Sequence, residues 1–240
     1  MSDTPAAPGA ASPADPILAV ESRMEAIAAT LAPEDGVARF NELYLAVTKA
    51  VAAEARGDSY EDPAFISRLD VVFAALYFEA VAAAAAGKVI PKAWAPLFEK
   101  RHTPGIAPLQ FAIAGMNAHI NHDLAVALVD VCDERKITLD DGTVQHRDYL
   151  AVNATLQRVE GEIKARFATG IVGDVDKVAG PLDDVVANWS VARARDNAWM
   201  TAQTIHALRD KPFLYRQYML GLARNVGFAG RALLVRTQMP

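Results

Sequence analysis

Gly115-Met116-Asn117-Ala118-His119-Ile120-Asn121-His122-Asp123-Leu124 is the stretch whose reading decides the fold. It sits inside an otherwise apolar run from Ile106 to Cys132 and shows no strand alternation. Read as a helix at about 100° per residue, it places His119, His122 and Asp123 on one face. Ala112, Gly115 and Val126 share that face, which predicts open space above the backbone. Two imidazoles and a carboxylate beside small residues are the groups of a metal centre or a general acid–base pair. The same three also suit a buried polar network that ties helices together, because buried polar groups must be hydrogen-bonded.

Outward from this helix, which spans about Pro108 to Glu134, the chain reads as helix almost throughout. On the N-terminal side, Arg101-His102-Thr103-Pro104-Gly105 is a turn. Pro91 to Lys100 reads as a short helix. Asp62-Pro63 supplies a capping side chain and a Pro at the first helical position, opening a helix that runs to about Ala86 and stops at Gly87. Gly36 to Ala55 carries Val37, Phe40, Leu43, Tyr44, Val47 and Val51 at helical spacing. On the C-terminal side, Asp140-Asp141-Gly142-Thr143 is a turn. A helix follows from about His146 to Phe167, then a glycine-containing loop from Thr169 to Gly180. Pro181-Leu182-Asp183-Asp184 opens a helix to about Leu208. Asp210-Lys211-Pro212 breaks it, and a last helix covers about Phe213 to Val235. The expectation is an all-α protein: one bundle of about seven helices around a central apolar helix. Residues 1–16, rich in Ala, Pro, Ser and Asp, are expected to be a disordered leader, and residues 17–240 one helical domain.

Hydrophobic residues make up 52% of the 240, enough for a substantial core. A net charge of −5 offers no basic field for a phosphate backbone, so no nucleic-acid partner is expected. No run reaches the roughly 18 apolar residues of a membrane span, and the leader lacks the basic and apolar regions of a signal peptide. A cytoplasmic protein is expected, and a homo-oligomer is compatible with the sequence. Cys132 is the single cysteine, so an intrachain disulfide is excluded, and its place in the apolar helix predicts a core thiol.

Other polar residues lie on apolar stripes. Asp70 shares one with Ile66, Ala74, Tyr77 and Val81, and a carboxylate there needs a partner. It suits a site role, as a ligand or an acceptor for a histidine N–H, or half of a buried ion pair. One stripe near the C-terminal end reads Trp189, Arg193, Asp196, Met200 and Gln203, and a second reads Arg195, Trp199 and His206. Arg193 and Asp196 are spaced for an ordinary ion pair, and Asp196 equally for catalysis. His146, Tyr149, Asn153, Gln157 and Glu160 read as a solvated face. His102, in the turn before the central helix, is placed to reach a site at its mouth.

The motifs Arg101 to Gly105, Pro108-Leu109-Gln110-Phe111 and Gly115 to Asn121 resemble those of the bacterial and fungal domain-of-unknown-function family 5995. Leu69-Asp70-Val71-Val72-Phe73 with Leu76-Tyr77-Phe78, and Ala194-Arg195-Asp196 with Ala198-Trp199, are similar to it too. The resemblance covers most of the chain after the leader and implies no activity. The spacing His119-x-x-x-Asp123 is similar to a ligand pair of the all-helical zinc-dependent phospholipase C and single-strand nuclease fold. The order His102, His122-Asp123, Asp196 looks like the ligand series of the HD phosphohydrolases. Both likenesses imply metal-assisted hydrolysis through a metal-bound water.

These readings lead to an expected metal-dependent hydrolase of a small or phosphorylated substrate. A divalent metal (zinc, manganese or iron) would be held by His119, His122 and Asp123. Asp70, Asp196 and His102 would serve in catalysis, and Arg193, Arg195, Trp199, Tyr77 and Asn117 would contact the substrate. Two alternatives stand beside it. One is a metal-free cyclase- or isomerase-type enzyme with the His/Asp pair as acid and base. The other is a binding or scaffold protein.

Overall fold

A computed structural model describes residues 16–55, 59–171 and 190–236, with the side chains at 55 and 158–171 excepted. The expected segment from Thr169 and the helix start at Pro181-Asp184 lie largely outside these residues, as do Trp189 and the side chain of Glu160. Among the described residues every regular element is helical. The helices are α1 (Pro16–Thr30), α2 (Gly36–Ala55), α3 (Pro63–Ala85), α4 (Ala95–Lys100), α5 (Pro108–Ala118), α6 (Leu124–Arg135), α7 (Val144–Ile171), α8 (Val191–Leu208) and α9 (Pro212–Leu233). None is long and apolar enough to cross a membrane.

Local chemistry explains most of the boundaries. The Asp62 carboxylate accepts the Phe65 N–H at 3.0 Å and starts α3. Gly87, at φ 62°, ends it in the left-handed region that glycine enters without a Cβ penalty. Three elements differ from the sequence reading: α4 begins at Ala95 and not at Pro91. The Ser190 backbone is extended and its hydroxyl accepts the Arg193 N–H, so α8 begins at Val191. The residues of α1 also form a helix, which buries Ile17, Val20 and Met24. With Ile27 these stand at i, i+3, i+7 and i+10, a helical spacing that the sequence reading leaves unassigned.

α5 and α6 are one continuous central helix, interrupted by a π-helical turn at His119–Asp123. The Leu124 N–H reaches back five residues to the His119 carbonyl. The space predicted above Gly115 is not open. Phe40 of α2 occupies it, and Phe111 of α5 occupies the corresponding notch over Gly36. α2 and α5 are therefore joined by two reciprocal phenylalanine-into-glycine contacts, which set how closely the backbones approach. Cys132 is fully buried in the core, and burial pushes its thiol up to about 11, as befits a packing residue.

Candidate functional site

The π turn positions the site. His119 is all but inaccessible and sits among aromatic rings from three directions. Phe73 of α3 stacks on the imidazole with centroids 3.5 Å apart and planes 7° apart. Tyr44 of α2 meets it edge-on at 4.4 Å, and Phe40 does so at 5.7 Å. His119 Nδ1 lies 3.2 Å from Asp123 Oδ2. The same oxygen accepts the Trp94 indole N–H at 2.8 Å, and Asp123 Oδ1 lies 2.8 Å from His122 Nδ1. A single buried carboxylate thus gathers three ring nitrogens.

The electrostatics follow from that geometry. Burial alone would raise the Asp123 carboxyl, but the hydrogen bonds from His119 and His122 outweigh it and hold it below its usual range. The carboxylate is ionised, so His119 Nδ1 donates to it and Nε2 carries the lone pair. That Nε2 is buried and has no hydrogen-bond partner among the described residues. Burial in the aromatic box lowers the His119 pKa, and Asp123 opposes this only in part.

His119 lines a partly enclosed, mainly apolar cavity of about 70 Å³ between α2, α3, the central helix, α7 and α8. Roughly 10–15 Å³ is enough for one water, so there is room for several waters or a small chemical group. Asp70 and Arg195 are the charged residues in its wall. The Arg195 guanidinium is buried, and it is held from behind: Nε donates to Asn153 Oδ1 and Nη2 to the Tyr149 carbonyl, both at 2.7 Å. It also lies 4.1 Å over the Tyr149 ring. No carboxylate pairs with it within 4 Å among the described residues. A buried cation without a counter-ion is costly, and burial lowers its pKa accordingly.

A family model described as a family of unknown function, DUF5995, matches residues 17–236. The chain belongs to the DUF5995 family. No curated protein and no solved structure matches it.

In this DUF5995 chain the structure brings some of the expected site residues together and separates others. Asp70, His119 and Arg195 share the cavity. His122 bonds to Asp123, yet the wide π turn points it to a different place, a surface groove shared with Arg209, Tyr215 and Arg216. Asp196 and Arg193 lie on the exposed side of α8, outside the cavity wall. His102 is mostly exposed and lies 3.8 Å from Asp35, whose carboxylate is engaged by Arg101 and caps α2 through the Val37 N–H. The Arg101-His102 turn is therefore an anchor for α2. Trp199 donates to Asp141 and stacks near His146, Tyr77 donates to Asn41, and Asn117 donates to the Val226 carbonyl of α9. These three side chains hold helices together, because each buried donor has a protein acceptor.

The DUF5995 structure also adds residues that sequence reasoning missed. Trp94, in the loop before α4, carries no motif, yet its buried indole N–H requires an acceptor and finds it in Asp123. Phe73 and Tyr44 read as ordinary core residues. The supposed solvated face on α7 is largely an inward one: Tyr149 is fully buried and Asn153 positions Arg195.

Acid should destabilise this site. His119, with a depressed folded pKa, stabilises the fold fully above its unfolded value of about 6.5 and loses that contribution as pH falls through the folded value. Asp123 has the same sign at lower pH, its folded pKa also being depressed. The urea midpoint is expected to be flat above about pH 7 and to fall below about 6.5. His119→Gln should flatten the upper part of that fall. An unchanged profile in the variant would mean another group carries it.

Proposed function

We propose that this DUF5995 chain is a metal-free enzyme of small-molecule chemistry, in which His119 Nε2 takes and returns a proton on a small, anionic, partly apolar substrate. The observation that supports the reading is the Asp123–His119 pair itself. The carboxylate fixes the tautomer from behind, and the other ring nitrogen, Nε2, has no partner among the described residues and belongs to a residue of the cavity wall. Asp123 and Trp94 are positioning residues. Arg195 supplies the positive charge for an acidic group on the substrate, and the apolar walls exclude water and favour the uncharged imidazole. Isomerisation or cyclisation by proton transfer is the reaction class that fits.

The three residues expected as metal ligands, His119, His122 and Asp123, do not converge on one point: both Asp123 oxygens bond to imidazole Nδ1 atoms, and the two histidines face different spaces. Among the described residues no three His, Cys, Asp or Glu side chains are grouped to hold an ion.

The test uses small carboxylic acids and 2-oxo acids as probes, with wild type and His119→Gln. Wild type should show a raised melting temperature with bound probe and exchange of the probe's carbon-bound protons in heavy water. His119→Gln should keep the fold and lose exchange by roughly 10²-fold or more, the usual contribution of a positioned acid–base group. Full exchange by the variant would sink the acid–base role. Zinc and manganese titrations at pH 7.5 and pH 5.5 form the second arm, since proton competition at His119 weakens metal binding in acid. Tight, pH-dependent binding abolished by His119→Gln would replace this reading with the metal-dependent hydrolase.

A further inference from the structure

The last helix carries charge and apolar surface in a pattern that neither the cavity nor the core uses. Residues 209–236 contain six basic side chains and one acidic one, in a chain whose net charge is −5. α9 itself has three arginines and no Asp or Glu. Its inner face is pinned, since Gly227 lies against the Lys92 carbonyl and Gly230 against Pro96, and Val226 is buried. Its outer face is bare. Phe213 is 69% exposed and Phe228 76% exposed, against a core in which the phenylalanines are almost fully covered. At about 100° per residue the two share one stripe with Arg224 between them. Leu214, Tyr215 and Arg216 are exposed in the first turns as well, beside Lys211. Arg224 and Lys211 have no acidic partner within 4 Å among the described residues, whereas Arg209 is paired with Asp133 and Arg231 with Glu99, and Arg216 lines the groove beside His122.

We propose that the outer face of α9 docks on an anionic lipid bilayer surface, with Phe213 and Phe228 entering the headgroup boundary and Arg224 and Lys211 against lipid phosphates. Charge complementarity selects this occupant. Exposed aromatic residues interleaved with unpaired cations and no carboxylate describe a helix that lies in the interface plane. A second copy of the chain would bring the same patch onto itself across a two-fold axis, setting like charges against one another.

Flotation of the full chain with vesicles tests this. Binding is expected to vesicles of about one-third phosphatidylglycerol in phosphatidylcholine, and not to phosphatidylcholine alone. It should be lost at about 1 M salt, where the screening length falls to roughly 3 Å. Replacing Lys211 and Arg224 with Gln should weaken partition about fivefold for each charge removed. Phe213→Ala with Phe228→Ala should weaken it at least tenfold at an unchanged melting temperature, because both rings are exposed. Failure to float on the anionic vesicles, equal binding to neutral ones, or full binding by the double Phe variant would each overturn the proposal. So would a concentration-dependent dimer that the double Phe variant dissolves, which would assign the face to a second copy.

Discussion

Asp123→Ala is expected to lower the free energy of unfolding by about 3–5 kcal/mol, the range for removing one partner of a buried charged network. The carboxylate is acceptor to Trp94 Nε1 and sits within hydrogen-bond distance of both His119 and His122. Its loss leaves at least two buried donors unsatisfied, each at about 1–3 kcal/mol, and a cavity besides. Asp123→Asn fills the space but offers one acceptor oxygen where the carboxylate has two, so one histidine must change tautomer or lose its bond. The Asn variant should fall between wild type and Ala. A cycle with Trp94→Phe isolates the indole bond, and a coupling of roughly 0.5–3 kcal/mol is expected for residues in one network. Urea unfolding at pH 7.5 supplies all of these values. A loss below about 1 kcal/mol in Asp123→Ala would show that the gathered nitrogens do not depend on this carboxylate.

Gly115→Ala should cost about 1–3 kcal/mol or more, although alanine ordinarily stabilises a helix relative to glycine by roughly 1 kcal/mol. A Cβ at this position would overlap the Phe40 ring, which has no room to retreat. Phe40 is fully buried, with Tyr77 at 5.0 Å and Trp94 at 5.1 Å between ring centroids. The same ring meets the edge of His119, so the substitution should also disturb the site and weaken probe binding. Phe40→Leu removes the overlapping atoms and should rescue part of the loss, making the double variant more stable than the two single effects predict. Gly115→Ala at or above wild-type stability would mean that the α2–α5 contact is not set by this notch.

Much of the fold was legible because its signals are local. The Asp62-Pro63 start and the Gly87 stop of α3 depend on groups within a few residues of each other, and the structure places them as read. The apolar run from Ile106 to Cys132 forms a long central helix from Pro108, because the proline falls in the first turn, where its missing N–H costs nothing, and the apolar face is buried along its length. What local rules do not contain is a choice between α- and π-bonding over five residues, since both satisfy the backbone. That choice separates His119 from His122, which even spacing had placed on one face.

For the site, the sequence determined which chemistry was available. It supplied His119 beside Asp123 on an apolar helix, with Asp70 and Arg195 on other inward stripes, and the structure sets Asp70, His119 and Arg195 around one cavity. Spacing along a helix is enough to predict an i,i+4 hydrogen bond. It says nothing of Trp94, which reaches Asp123 across 29 positions of sequence, or of Asn153, which holds Arg195 from another helix. It gave Asp196 and His102 roles that their exposure denies them a place for in this cavity. Which face of each helix turns inward, and which nitrogen is left without a partner, is decided only when side chains from distant segments compete for the same volume and the same acceptor. Close packing and the cost of an unmet buried polar group set that outcome, and both are properties of the assembled bundle.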